Sequence, residues 1–131
     1  MTGTAELLSH ELRRGLIAVA LDFGEDLGVR CAVAVLDSNG SLIAAERDPG
    51  LPEEALGAAV GHARRALVAR EPSGSAAAAG LPLGEEAAPH RTVGAVGVCG
   101  GPEGFSVEAA AVAARAVGLG RFVRRRAAPA A

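Results

Sequence analysis

Residues 29–46 read VRCAVAVLDSNGSLIAAE, and the pattern of this stretch predicts the fold class. Valine or cysteine alternates with other residues from Val29 to Val35, and a period of two predicts a strand. The turn after it contains Asn39 and Gly40, which tolerate the positive φ angles of a tight hairpin. A second strand is expected over residues 41–46. The stretch therefore predicts a β-hairpin in an antiparallel sheet.

Three helices are predicted around this hairpin. Large apolar residues recur at three- and four-residue spacing over residues 4–27, and Gly28 is expected to cap the C-terminus of that helix. Residues 53–70 form the second helix, with acidic side chains in its first turn, where the helix dipole favours them. The third helix is expected to begin near Ser106 as its N-cap and to end near residue 117.

The segment over residues 71–90 has the weakest pattern in the chain. Serine, glycine and four consecutive alanines predict a loop with at most one short strand near residues 81–83. A glycine-rich apolar strand follows over residues 93–99. This order of elements predicts an α+β domain over residues 1–120, followed by an arginine-rich, flexible tail over residues 121–131.

The composition indicates a core of small side chains. The chain has 131 residues and is 50% hydrophobic, but it has three phenylalanines and neither tryptophan nor tyrosine. Burial of a large apolar side chain contributes about 1.5–3 kcal/mol, and alanine contributes much less. We therefore expect a second subunit to complete the hydrophobic burial, which predicts a homo-oligomer.

The charges argue against several classes of partner. Thirteen basic residues, all arginine, face fifteen acidic ones, and with few aromatic rings for base stacking we expect no nucleic-acid partner. The apolar run after Arg14 stops at Asp22, too soon for an export signal or a membrane span. We therefore expect a cytoplasmic protein with no membrane partner. Cys31 and Cys99 have no metal-site spacing and are predicted to be reduced thiols.

A candidate ligand site lies where the last strand passes through a glycine-rich turn into the last helix. Gly97, Gly100, Gly101 and Gly104 would let a ligand approach the main chain. The N–H groups of the first helical turn, at Ser106, would attract a carboxylate or a phosphate. A helix end that binds no ligand is the alternative interpretation.

Three side chains have the chemistry to take part in such a site. His62 could ligate iron or act as an acid or base near pH 7. Cys99 could be a soft iron ligand or a nucleophile, and Arg47 could pair with a ligand carboxylate. Each also has a purely structural interpretation. These are a helix-surface histidine, a buried thiol, and a salt bridge from Arg47 to Asp37 or Asp48.

Three stretches resemble the GlcG/HbpS family. Residues 33–50, VAVLDSNGSLIAAERDPG, resemble its hairpin, roughly AVVDxxGxLVAxxRxDG. Residues 94–101, GAVGVCGG, resemble its GAIGVSGG signature, and GLPL at residues 80–83 is similar to its GGxP element. The resemblance spans residues 7–117. It implies a profilin-like domain of α-β-α layers, usually oligomeric, in a family associated with haem or corrinoid binding.

Three positions depart from the family pattern. Cys99 replaces a serine, His62 stands where the family usually has a lysine, and Ser106 stands where an acidic residue usually opens the last helix. The segment between His62 and Gly80, which corresponds to part of the family's pocket wall, is shortened and rich in alanine. These departures indicate a pocket that could hold a different ligand.

Three functions are compatible with these residues. The first is a small-molecule-binding protein for haem or another tetrapyrrole, with His62 or Cys99 as iron ligand and the glycine turn with Arg47 holding the propionates. The second is a small isomerase, cyclase or lyase acting on a carboxylated or ketone-bearing metabolite. It would use His62 as acid or base and the amides of residues 97–104 as an oxyanion site. The third is a structural or assembly subunit.

Overall fold

The computed structural model describes residues 8–88 and 91–123. The elements in chain order are α1 (His10–Asp26), β1 (Cys31–Asp37), β2 (Leu42–Arg47), α2 (Glu53–Ala69), β3 (Ser73–Gly74), β4 (Ala78–Leu83), β5 (Gly94–Gly100) and α3 (Phe105–Ala116). The five strands form one sheet in the order β2-β1-β5-β4-β3. Every neighbouring pair in that sheet is antiparallel, so the predicted α+β class is confirmed.

The predicted hairpin is present, and its turn is held by one carboxylate. Asp37 Oδ1 accepts hydrogen bonds from the main-chain N–H of Asn39 at 2.9 Å and of Ser41 at 3.0 Å. Gly40 adopts a φ of +85°, which a residue with a side chain adopts only at a cost. The hairpin places β1 in the interior of the sheet, between β2 and β5.

The two faces of the sheet differ in side-chain size because successive strand residues point to opposite faces. On one face, the large side chains join a hydrophobic cluster with residues of α1 and α3. That cluster includes Leu16, Val33, Val35, Leu81, Val96, Val98 and Ala113. On the other face, most positions of the middle strands are alanine or glycine, with Leu36, Pro82 and Cys99 as the exceptions, and α2 covers this face. The molecule therefore has α1 and α3 in one layer, the sheet in the middle and α2 in the third layer.

The contact between α2 and the sheet involves main-chain atoms. A Cβ atom built on Gly97 would lie 1.9 Å from the carbonyl oxygen of Ala59. A Cβ atom built on Gly80 would lie 2.1 Å from the carbonyl oxygen of His62. No side chain fits at either strand position, so these glycines let the helix lie directly on the sheet.

The structure corrects the expectation of a loop over residues 71–90. β4 pairs with β5 along its whole length, and β3 adds an edge strand beyond it. All residues of β4 are buried, so its sequence AAGLPL has no alternation of apolar and polar residues to reveal a strand. The expected short strand at residues 81–83 is the second half of β4. Residue 90 lies outside the described part of the chain.

The helix ends also differ from the prediction. α1 begins at His10, where Ser9 Oγ accepts a hydrogen bond from the main chain of Leu12 at 3.2 Å, and the start predicted at residue 4 lies outside the described residues. Ser106 is not the N-cap of α3, because Gly104 occupies that position. The Ser106 hydroxyl instead donates toward the main-chain carbonyls of Ala77 and Gly100.

The expected tail begins within the described residues. Arg121 donates its main-chain N–H to the carbonyl of Gly84 at 3.2 Å, so the chain there runs beside the end of β4. The three consecutive arginines of the tail, at residues 124–126, lie outside the described part of the chain. Among the described residues, none of the helices combines the length and the apolar character that a bilayer crossing requires.

We predict that Gly97→Ala destabilises the fold by about 3 kcal/mol, because the new methyl group would overlap the Ala59 carbonyl and push α2 off the sheet. Urea unfolding followed by circular dichroism measures this change. Gly74→Ala is the matched control. It also lies in a strand, but the nearest atom to its new Cβ lies at an ordinary 3.5 Å. Equal unfolding free energies for the two variants would contradict the close packing of α2.

We predict that Arg70→Gly stabilises the protein by about 1 kcal/mol. Arg70 follows the last residue of α2 in the left-handed region, at φ +56°, where a side chain is strained. Arg70→Ala removes the charge and keeps the strain, so it should unfold at the same denaturant concentration as the unmodified chain. A glycine variant no more stable than the alanine variant would refute the interpretation.

Candidate functional site

The structure brings three of the predicted site residues, Arg47, Gly97 and Cys99, onto the face of the sheet that α2 covers. Ala32 of β1 pairs with Arg47 of β2 on one side and with Cys99 of β5 on the other. Residues paired in this way share a face, and two strand spacings put the Arg47 and Cys99 Cα atoms about 10 Å apart. Arg47 also donates a side-chain hydrogen bond to the carbonyl of Leu51, which ties the end of β2 to the loop before α2.

The two cysteines are free thiols on opposite faces of the sheet. Cys31 pairs with Gly100, the neighbour of Cys99, so the two side chains leave their strands in opposite directions. Burial raises the pKa of Cys31 to about 11, with further contributions from the Asp48 carboxylate and from Cys99. Burial also raises the pKa of Cys99. Both groups are therefore neutral thiols near pH 7, and neither is a preformed thiolate for iron ligation or nucleophilic attack.

His62 lies on the buried side of α2 and is 9% exposed. Its Nδ1 atom lies 3.0 Å from Ser73 Oγ in β3, so this pair joins the helix to the edge strand. Burial lowers the pKa of His62, and the nearby Arg65 lowers it further, which keeps the ring neutral at pH 7. Sequence reasoning missed Ser73 because that serine lies in the low-complexity segment and meets His62 only through the fold.

The glycine-rich turn directs most of its polar groups into the protein. Ser106 Oγ donates toward the carbonyls of Ala77 and Gly100, at 3.0 Å in each case. The N–H of Gly100 donates to Ala77 at 2.9 Å. Gly97 lies in contact with α2, so no space for a ligand remains at that position. Only Gly101 and Gly104 of the predicted glycines are exposed, and both have positive φ angles.

A cavity of about 690 Å³ opens where β1 begins and β2 ends, and we call it the strand-end cavity. This volume lies in the range typical of small-molecule sites. Its apolar lining includes Leu21, Val29 and Cys31, and its charged lining consists of Glu25, Arg30, Glu46, Arg47 and Asp48. The Arg30 and Asp48 side chains approach within 3.9 Å at the surface.

Arg47 is the one predicted site residue that lines this cavity, and sequence reasoning missed Arg30. A signal for Arg30 was present, because an antiparallel hairpin brings the residue before its first strand beside the residues that end its second. The turn glycine Gly101 lies next to the cavity, since a Cβ atom built there would lie 2.7 Å from Val29 Cγ1. His62 and Cys99 do not line the cavity.

Two further cavities lie beside the helices. One of about 580 Å³ runs beside α2 and is lined by Arg47, Glu53, Leu56, Gly57, Val60, Gly61 and Arg64; we call it the α2 groove. Another of about 750 Å³ lies between α1 and the chain after α3. None of the predicted site residues lines it, but Arg121 of the expected tail does. Within residues 8–88 and 91–123, no three histidine, cysteine or acidic side chains converge to hold a metal ion.

Comparison with known proteins gives structural matches alone. No protein-family description and no curated protein sequence matches this chain. The structure described as a PduOC:heme complex superposes with a TM-score of 0.73 at 17% identity, over 83% of this chain and 94% of that one. Klebsiella pneumoniae protein ORFY gives a TM-score of 0.64 at 16% identity, over 83% of this chain and 86% of that one.

HbpS gives a third match, with a TM-score of 0.61 at 20% identity, over 84% of this chain and 86% of that one. Sequence identities this low establish a shared fold and nothing finer. The α+β class and the antiparallel sheet between layers of helices are those expected from the resemblance at residues 33–50 and 94–101. The chain therefore has the GlcG/HbpS-like fold, as a divergent example of it.

Proposed function

We propose that this protein binds a small molecule that has an apolar body and one or more carboxylates, and that the strand-end cavity is its site. The observation behind this proposal is the pair of guanidinium groups, Arg30 and Arg47, that line one cavity with the apolar side chains of Leu21 and Val29. Arginine pairs with a carboxylate through two parallel hydrogen bonds, which gives both affinity and orientation. The apolar side chains would contact the body of the ligand.

The two arginines retain donors for a ligand. The Arg30 side chain is 68% exposed, and its 3.9 Å approach to Asp48 is too long for a hydrogen bond. Arg47 uses part of its guanidinium on the Leu51 carbonyl, and a guanidinium has five N–H donors. A ligand carboxylate could therefore bind without the loss of an existing strong contact.

The charge of the cavity also limits the ligand class. Three carboxylates, those of Glu25, Glu46 and Asp48, line the cavity together with the two arginines. A simple inorganic anion would be repelled by these acids as well as attracted by the arginines. Contact of an apolar body with Leu21 and Val29 must then supply part of the binding energy, which favours an amphipathic ligand.

Haem and related tetrapyrroles belong to that ligand class, because they combine a flat apolar ring with carboxylates. One structure with this fold is described as a heme complex. Arg30 and Arg47 fit the propionate groups. His62 and Cys99 do not fit as iron ligands, because both lie on the face where the α2 main chain touches the sheet and no layer is left for a macrocycle. We therefore propose tetrapyrrole binding through the ring and its carboxylates.

A structural or assembly subunit is the second candidate, and one observation favours it. The glycine turn that could have received a ligand is largely closed, since Gly97 packs on α2 and the Ser106 hydroxyl bonds to main-chain carbonyls. This alternative includes the proposal that the protein is a homo-oligomer.

The enzyme hypothesis has less support. The Gly100 amide, one of its oxyanion donors, already bonds to Ala77. The contact between Ser73 and His62 resembles a nucleophile and its base. However, among the described residues His62 has no second hydrogen-bond partner that would orient it for catalysis.

We predict that the full chain binds both hemin and iron-free protoporphyrin, with similar dissociation constants, because the iron is not needed for the contacts proposed. Absorbance and fluorescence titrations measure the two dissociation constants. Arg30→Met and Arg47→Met should each weaken binding of both porphyrins by about 10-fold or more, since each removes a charge-assisted hydrogen bond.

Arg14→Met is the matched control, because Arg14 is an exposed arginine of α1 that does not line the cavity. His62→Gln and Cys99→Ala should leave both dissociation constants unchanged. If neither porphyrin binds, the tetrapyrrole proposal is wrong. If His62→Gln abolishes hemin binding while Arg30→Met does not affect it, the ligand lies elsewhere.

We predict a pH dependence of stability that arises from His62. Its folded-state pKa is lowered from the ordinary 6.5, so below about pH 6.5 the unfolded state takes up a proton that the folded state resists. The stability contributed by the neutral ring is therefore present above that pH and is lost as the pH falls toward the folded-state pKa. Urea midpoints should fall less steeply between pH 7.5 and 5 for His62→Gln than for the unmodified chain. Parallel curves for the two proteins would show that the buried ring is not the cause.

A further inference from the structure

The outer face of α2 has no partner within the described chain. The side chains that α2 buries against the sheet are Ala55, Ala59, His62, Ala63 and Ala66. At 100° per residue, the opposite stripe of the helix consists of Glu53, Gly57, Gly61, Arg64 and Val68, and we call it the α2 outer face. Val68 is 86% exposed, although it is a large apolar residue. The α2 groove runs along this face and adds Leu56 and Val60 to its apolar surface.

The charges of the outer face are arranged so that the surface complements itself. Glu53 stands at the start of the helix and Arg64 stands three turns later on the same stripe. Neither side chain forms a salt bridge within residues 8–88 and 91–123. If a second copy of the helix lies antiparallel to the first, Glu53 of each copy meets Arg64 of the other. A two-fold axis produces this arrangement, because such an interface uses the same surface on both subunits.

The glycines of the outer face fit the same axis. Gly57 and Gly61 lie inside a helix, where glycine is less favourable than alanine. A Cβ atom built at either position would meet nothing within 4 Å, so packing inside this chain does not require a glycine there. This is the reverse of Gly80 and Gly97, where a Cβ atom would collide with α2. Glycines four residues apart allow two helix backbones to approach closely.

Along α2, the pair of glycines and the pair of charged residues have nearly the same centre. Residues 57 and 61 are centred on position 59, and residues 53 and 64 are centred between positions 58 and 59. A single two-fold axis at that level therefore places glycine beside glycine and acid beside arginine at both ends of the contact.

We propose that a second copy of this chain docks on the α2 outer face, with the two α2 helices antiparallel about a two-fold axis at the level of Ala59. The close approach at Gly57 and Gly61 buries Leu56 and Val60 at the sides of the contact. The two pairs formed by Glu53 and Arg64 fix the direction and the register. Arg30 and the apolar lining of the strand-end cavity lie outside this interface, whereas Arg47 lines both that cavity and the α2 groove.

Sedimentation equilibrium of the full chain over a range of concentrations tests the proposal. The unmodified chain should be a dimer. The double variant Gly57→Leu/Gly61→Leu should dissociate at least about 30-fold more readily, because its side chains hold the two backbones apart. Its helix content should not fall, since both positions are open in the single chain. Ala69→Leu, at an exposed position of α2 outside the stripe, is the control and should remain a dimer.

Charge exchange provides a second, independent test of the register. Glu53→Arg and Arg64→Glu should each weaken the dimer, and the double variant Glu53→Arg/Arg64→Glu should restore it. Added salt should weaken the unmodified dimer. A chain that is monomeric at every concentration, or a dimer that the paired leucines leave intact, would overturn the proposal. Failure of the double charge exchange to restore the dimer would overturn the antiparallel register.

Discussion

The direct contact between the α2 main chain and the sheet is the constraint on which the rest of the structure depends. At Gly97 and Gly80, the carbonyl groups of Ala59 and His62 occupy the space where a strand side chain would otherwise stand. The helix can approach this closely because the strand residues directly beneath Ala59 and His62 are Gly97 and Gly80. Most of the larger valine and leucine side chains of the sheet lie on the opposite face, under α1 and α3, where they form the main hydrophobic cluster, whereas Leu36 packs with Ala63 of α2.

This contact also determines where a ligand can bind. His62 and Cys99 have the most versatile chemistry in the chain, but both belong to the closely packed layer under α2. Open space remains at the ends and edges of the sheet. Arg47, at the end of β2, lines both the strand-end cavity and the α2 groove. The candidate binding site therefore uses arginine and carboxylate side chains at the edge of the sheet. His62 instead contacts Ser73 and so joins α2 to β3.

The two sides of α2 show how one residue type serves two purposes. Glycines beneath the helix lie in contact with its main chain, whereas Gly57 and Gly61 on its outer face have open space around them. In the first case the contact lies within the chain, and in the second we infer a contact with a second copy. The same helix would then use small residues for close approach on both sides, which suits a protein whose core is made of small side chains.

Local sequence was enough to predict the hairpin, the three helices and the α+β class, and it carries the resemblance to the GlcG/HbpS family. These features depend on periodicity and turn chemistry within a few residues, as at Asn39 and Gly40. The tertiary structure alone shows that Ala78–Leu83 is an interior strand, because a strand buried on both faces has no alternating pattern. It also decided that Ser106 bonds to Ala77, 29 residues away, and that Arg30 lines the same cavity as Arg47. The physical reason is the same in each case. The role of a glycine, a serine or an arginine depends on what lies across from it, and local sequence does not specify that neighbour.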